Sequence, residues 1–206
     1  MTTSEGPMGP ELNPTVAWSR RLLRIGGFIQ LAFAAFWLVR GSLNISGGAG
    51  VALAVMFGAA TIAVAGYGVR VTAGTAPRPT SPDAKRIERS VTIATIIELI
   101  ASFVLPVIAI STGHSDWVLP SIAITIGPMM LWFDHLVHIP RYRAVGWALT
   151  VGPVLLVATM SGSALAATTG ITAGLLLLTT AAAGFHDLAR VQRVGSSARL
   201  LGMQAP

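Results

Sequence analysis

Apolar residues in this chain gather in long runs, and the polar residues collect between them. Six runs stand out, over residues 22–39, 51–69, 91–110, 117–133, 144–160 and 164–184. Each is close to the roughly 17–25 residues that an α-helix needs to cross the hydrocarbon core of a bilayer. None shows the alternation of a barrel strand, so the backbone hydrogen bonds that lipid cannot supply must be made within helices. The pattern predicts an all-α integral membrane protein, a bundle of six transmembrane helices.

The connections differ in character. Residues 40–50 are rich in Gly, Ser and Asn, while residues 70–90 hold Pro77, Pro79 and Pro82 and most of the mid-chain charge. The last two runs are joined by Ser161, Gly162 and Ser163, which predicts a tight antiparallel hairpin. Residues 1–19 read as a mobile N-terminal tail, 20–188 as the transmembrane domain and 189–206 as a basic C-terminal tail. The first run is longer than a signal-peptide core and passes into Arg40-Gly41 without a small-x-small cleavage pattern, so it reads as a retained helix. Hairpins begin after Arg24, Arg89 and Arg143, but residue identity among them is too low to support an internal duplication.

Composition sharpens this picture. Only 11% of residues are charged and 53% are hydrophobic, with a mean hydropathy of +0.70. A soluble domain carries about 25% charged residues, so a soluble enzyme is excluded. The absence of Cys excludes a disulfide scaffold and a thiolate zinc site.

The net charge of +6 invites a nucleic-acid reading, which the placement of the charges removes. Thirteen of the fourteen basic residues flank the runs on one side, and only Arg40 falls on the other. Cytoplasmic loops retain Lys and Arg, so both termini are expected in the cytoplasm. No dense basic stripe or stacking platform for a nucleic acid is present; the bilayer is the expected partner. The thirteen arginines against one lysine resemble the usage of GC-rich bacterial genomes, so the inner (plasma) membrane is the expected location. Trp37 and Trp117 are placed at the outer boundary, and Trp18, Trp147 and Tyr142 near the inner one, as an aromatic belt.

Against this background an intramembrane carboxyl is the strongest chemical signal. Glu98 lies nine residues past Arg89, about 13 Å into the membrane at 1.5 Å per residue. Ala94, Thr95, Ala101 and Ser102 share its helix face. Such a small, hydroxyl-bearing face packs on another helix. An acid there is a proton or cation carrier or a ligand anchor by default, with a purely structural hydrogen-bonded Glu as the alternative. Gln30 also lies in the inner half of its run, so Glu98, Gln30, Thr95 and Ser102 are the candidate substrate- or ion-binding residues.

A second cluster closes the fourth run, at Phe133-Asp134-His135-Leu136-Val137-His138. If the helix continues to Ile139 and ends at Pro140, Asp134 and His138 share a face, as do His135 and His138. With His186 from the end of the last run, Asp134, His135 and His138 would form a ligand set for a divalent metal. The competing reading is electrostatic. Histidines are favoured at helix C-termini, and Asp134 and Asp187 have Arg141, Arg143 and Arg190 as pairing partners. His114 is on the opposite side and reads as solvated.

Taken together, Gln30, Tyr67, Glu98 and the Asp–His residues predict a polar vestibule open to the cytoplasm. Pro106, Pro128 and Pro153 lie inside spans and predict bends. Ala166, Gly170 and Gly174 form a small-xxx-small strip for close packing, within the bundle or in a homo-oligomer. The leading functional expectation is a transporter or channel-like protein for a small solute, ion or proton that uses the intramembrane carboxylate. The alternatives are a metal- or cofactor-dependent membrane enzyme at the cytoplasmic face and a noncatalytic assembly module.

Overall fold

A computed structural model of the chain describes residue 21 and residues 23–74 and 82–200. The N-terminal tail 1–19, Trp18 within it, and the end of the C-terminal tail, 201–206, lie outside the described residues. All regular structure among the described residues is helical. A π-helical turn at Leu23–Gly27 leads into α1 (Phe28–Ser42), followed by α2 (Gly48–Thr72) and α3 (Pro82–Ser111). A 3-10 turn at Ser115–Trp117 precedes α4 (Val118–Val137), then α5 (Pro140–Thr159) and α6 (Gly162–Leu200). Each of the six apolar runs falls in one helix that is long and apolar enough to cross a membrane. The basic segment from 189 continues α6 as helix through Leu200.

The helices are unequal in burial, and this decides the architecture. The apolar window of α6 is 61% buried, whereas those of α2 and α3 are only 11% buried. α6 is therefore the central helix and α2 and α3 are peripheral. The core lies where α1, α4 and α6 meet, with Leu31, Ala34, Trp37 and Leu38 against Ala123, Ile126, Met130, Ala173, Leu177 and Phe185. The expectation that Trp37 belongs to an interfacial belt is overturned, because its side chain is fully buried in this core. Trp117 and Trp147 are exposed.

The sequential hairpin of α5 and α6 is also looser than its short connection suggests. α6 packs far more extensively on α1 than on α5. The cause is the glycine strip. A Cβ on Gly170 would stand 2.6 Å from the Gly41 Cα, and one on Gly174 would collide with Leu38. Only glycine permits this approach, so the strip is taken up within the chain by α1. At the start of α6, Gly162 turns the chain with φ +60°, and its N–H donates to the Asp116 carboxylate at 3.1 Å.

A second pair of glycines closes α4 on α5, where a Cβ on Gly146 would lie 2.9 Å from the Gly127 carbonyl. At the basic end, the ring of Phe185 fills the space left by Gly27 and Gly68, joining the start of α1 and the end of α2 to α6. Several hydroxyls within the spans turn back on their own helices: Thr61 donates to Phe57, Thr72 to Gly68, Thr150 to Gly146 and Thr180 to Leu176. This local bond satisfies the hydroxyl's proton in apolar surroundings.

Candidate functional site

α3 buries one stripe and exposes the rest. Ala94, Thr95, Glu98, Ala101 and Ser102 recur at three- and four-residue steps and are buried or half-buried. Ile96, Ile97, Leu99, Ile100 and Phe103 are exposed. The partner of the stripe is α4; among the described residues α3 has no comparably extensive contact with another helix. Glu98 is 6% exposed although its helix is peripheral. The carboxyl is thus enclosed in a two-helix seam, one layer from the apolar outer surface.

One polar link holds this seam. The hydroxyls of Ser102 and Thr125 are 2.7 Å apart across α3 and α4. Thr125 donates its proton to the Ile122 carbonyl at 2.7 Å, so Ser102 is the donor to Thr125. Ser102 lies one turn after Glu98 on the same buried stripe. Proline adds further acceptors. Pro106 inside α3 and Pro128 inside α4 have no N–H, so the carbonyls of Ser102 and Ile124 lose their helical donors. Thr125 was not singled out from the sequence; its signal is a lone hydroxyl in the apolar stretch Ile122-Ala123-Ile124-Thr125-Ile126.

The four binding candidates divide between two places. Thr95 lies on the Glu98 stripe, but its hydroxyl donates to the Val91 carbonyl at 2.9 Å and is satisfied by its own helix. Gln30 belongs to a different junction, between α1 and α4, where its amide nitrogen is 3.7 Å from the Met130 sulfur. Glu98 and Ser102 share the stripe that faces α4.

The Asp–His cluster is not assembled. Ile139 precedes Pro140, and a residue before proline is pushed to extended backbone; its φ is −103° and ψ 104°. The helix must stop earlier, so α4 ends at Val137 and Pro140 opens α5. His138 closes α4 in the left-handed region at φ 53°, off the helical face that would align it with Asp134 and His135. His135, His138 and His186 are exposed. Asp134 is buried and accepts from the Arg143 Nε at 2.8 Å, and Asp187 pairs with Arg141. Among the described residues no three His, Asp or Glu side chains are grouped to hold a metal ion.

These ion pairs tie α5 to α4 and to α6 at one end of the bundle. Tyr142 lies between them, with the Arg141 guanidinium 5.8 Å from its ring and Phe133 edge-on at 6.3 Å. His114, at the opposite end, stacks on Trp117 at 4.2 Å. Two surface hollows are defined. One of about 510 Å³ lies at the α5–α6 turn beside Met160 and Ser161, and one of about 540 Å³ lies beside Arg21 and Arg24. Neither is lined by Glu98, Gln30 or the Asp–His residues.

The chain matches no protein family, curated protein or solved structure with which it was compared.

Proposed function

We propose that this chain is a small multi-pass membrane protein that moves a proton, or a small ion or solute coupled to one, with Glu98 as the ionisable group. Its basic end lies in the cytoplasm, in keeping with the arginine excess there. The observation that carries the reading is a carboxyl 6% exposed within the otherwise uncharged apolar run 91–110 of a peripheral helix. A buried acid is costly in such surroundings and marks an ion or proton path.

The mechanism extends the observed chain from Ser102 to Thr125 to the Ile122 carbonyl by one step. In it a protonated Glu98 donates to Ser102 one turn along the same stripe, so each hydroxyl gives one proton. A Glu98 carboxylate can only accept. It draws the Ser102 proton to itself and breaks the Ser102–Thr125 link between α3 and α4. Loss of the proton therefore loosens the seam that encloses the carboxyl, and gain of the proton closes it. Carboxyl and hydroxyl oxygens suit a proton or a hard cation.

Proteoliposomes loaded with a pH-sensitive dye test the proposal. Under an imposed potassium diffusion potential, the protein is expected to pass protons faster than empty liposomes do, and Glu98→Gln is expected to abolish the difference. Equal rates with wild type and Glu98→Gln contradict the reading.

The metal-enzyme reading receives no support from the placement of Asp134, His135, His138 and His186, since Asp134 is bound to Arg143 and the three histidines point to the surface.

A further inference from the structure

A hollow of about 540 Å³ lies at the basic end. It is lined by Arg21, Arg24, Ile25, Phe28 and Val69, from the π-helical turn, the start of α1 and the end of α2. Two guanidinium groups thus stand beside an apolar trough whose walls include Ile25, 53% exposed, and Val69, 59% exposed. The trough has a fixed frame. Phe185 from α6 fits against Gly27 on one wall and Gly68 on the other, and it stacks at a tilt with Phe28 at 5.6 Å.

Only one of the two charges in the hollow is paired within the protein: Arg21 meets Glu88 at 3.5 Å, and Glu88 is itself 45% exposed. Arg24 has no hydrogen-bonding or ionic partner among the described residues. The turn that carries it is π-helical, a local widening that is frequent at functional sites. An occupant must therefore bring a negative group to the arginines and an apolar part to Ile25, Phe28 and Val69.

We infer that this hollow binds one anionic phospholipid, with its phosphate on Arg21 and Arg24 and an acyl chain along Ile25, Phe28 and Val69. Guanidinium matches a phosphate through two parallel hydrogen bonds. The position suits the ligand as well, because the arginines mark the polar end of two apolar spans. The inference rests on the spans crossing a bilayer and not on the role of Glu98.

The test is native mass spectrometry of the purified full chain with equimolar phosphatidylglycerol and phosphatidylcholine. Wild type is expected to retain one phosphatidylglycerol in preference to phosphatidylcholine. Arg24→Gln, which removes an exposed side chain and spares the fold, is expected to reduce that preference about fivefold. Arg190→Gln removes the same charge from the same end outside the hollow and is expected to keep the preference, as is Glu98→Gln. Retention of both lipids alike by wild type, or an equal loss in Arg24→Gln and Arg190→Gln, overturns the inference in favour of diffuse attraction. Displacement of the lipid by millimolar inorganic phosphate overturns it in favour of a small-anion site.

Discussion

Gly41 of α1 and Gly170 of α6 meet backbone to backbone, so closely that a Cβ on Gly170 would stand 2.6 Å from the Gly41 Cα and 2.9 Å from the Trp37 carbonyl. Both neighbours are main chain and cannot rotate away. Gly170→Ala is therefore expected to push α1 from α6 and cost about 1–3 kcal/mol by overpacking. Gly58→Ala is the matched control, because a Cβ at Gly58 meets nothing within 4 Å. Unfolding in mixed micelles is expected to separate the two variants clearly; equal stability would show that this helix crossing is not where the bundle is held.

The Arg143–Asp134 pair is lopsided, and its variants should be too. The Arg143 side chain is 63% exposed and that of Asp134 only 10%. Removing Asp134 returns an arginine to water, whereas removing Arg143 leaves a buried carboxylate whose other oxygen already has no partner among the described residues. Arg143→Ala is expected to cost about 1–3 kcal/mol, and Asp134→Asn in that background is expected to restore most of it. A double-mutant cycle with no coupling would contradict the pairing.

His138 offers a prediction of opposite sign. A non-glycine residue in the left-handed region is strained by roughly 1 kcal/mol, and helix C-termini favour glycine there. His138→Gly is expected to raise the melting temperature. Elemental analysis is expected to find the same metal content in wild type and in the variant. A stoichiometric metal lost on this substitution would restore the Asp–His centre that the backbone disperses.

The helices were legible because the cost of unpaired backbone in lipid forces long apolar runs, and all six runs became helices. Their facing was not. Hydropathy measures position along the chain, and core and lipid are equally apolar, so nothing in the run around Trp37 told a belt from a core. Glu98 was legible because a charge is exceptional wherever it faces. Thr125, the partner of Ser102 across the seam, was not, since hydroxyls in spans are common and most bond to their own helix. The place of His138 turns on one physical rule: Pro140 does not end α4 but restricts Ile139 to extended backbone and starts α5. The glycine strip was legible as a contact and ambiguous as to partner, because small residues admit any close helix.

Ser102 separates a structural seam from a working one. Ser102→Ala removes the donor to Thr125 and is expected to cost about 0.5–1 kcal/mol, as interhelical hydrogen bonds in membranes do. It also takes away the hydroxyl that answers to Glu98. Proton flux in Ser102→Ala is expected to fall while Thr95→Val, whose hydroxyl serves only its own helix, keeps the wild-type rate. Equal rates in the two variants would remove Ser102 from the path.

The most direct test of the central claim compares proton flux and unfolding for wild type, Glu98→Gln and Glu98→Asp in the same liposomes. Gln keeps the size and a hydrogen bond to Ser102 but cannot lose a proton, so Glu98→Gln is expected to unfold like wild type and carry no flux. Glu98→Asp keeps the ionisable group and is expected to retain part of it. Flux that survives in Glu98→Gln at full strength would show that the carboxyl only packs α3 against α4.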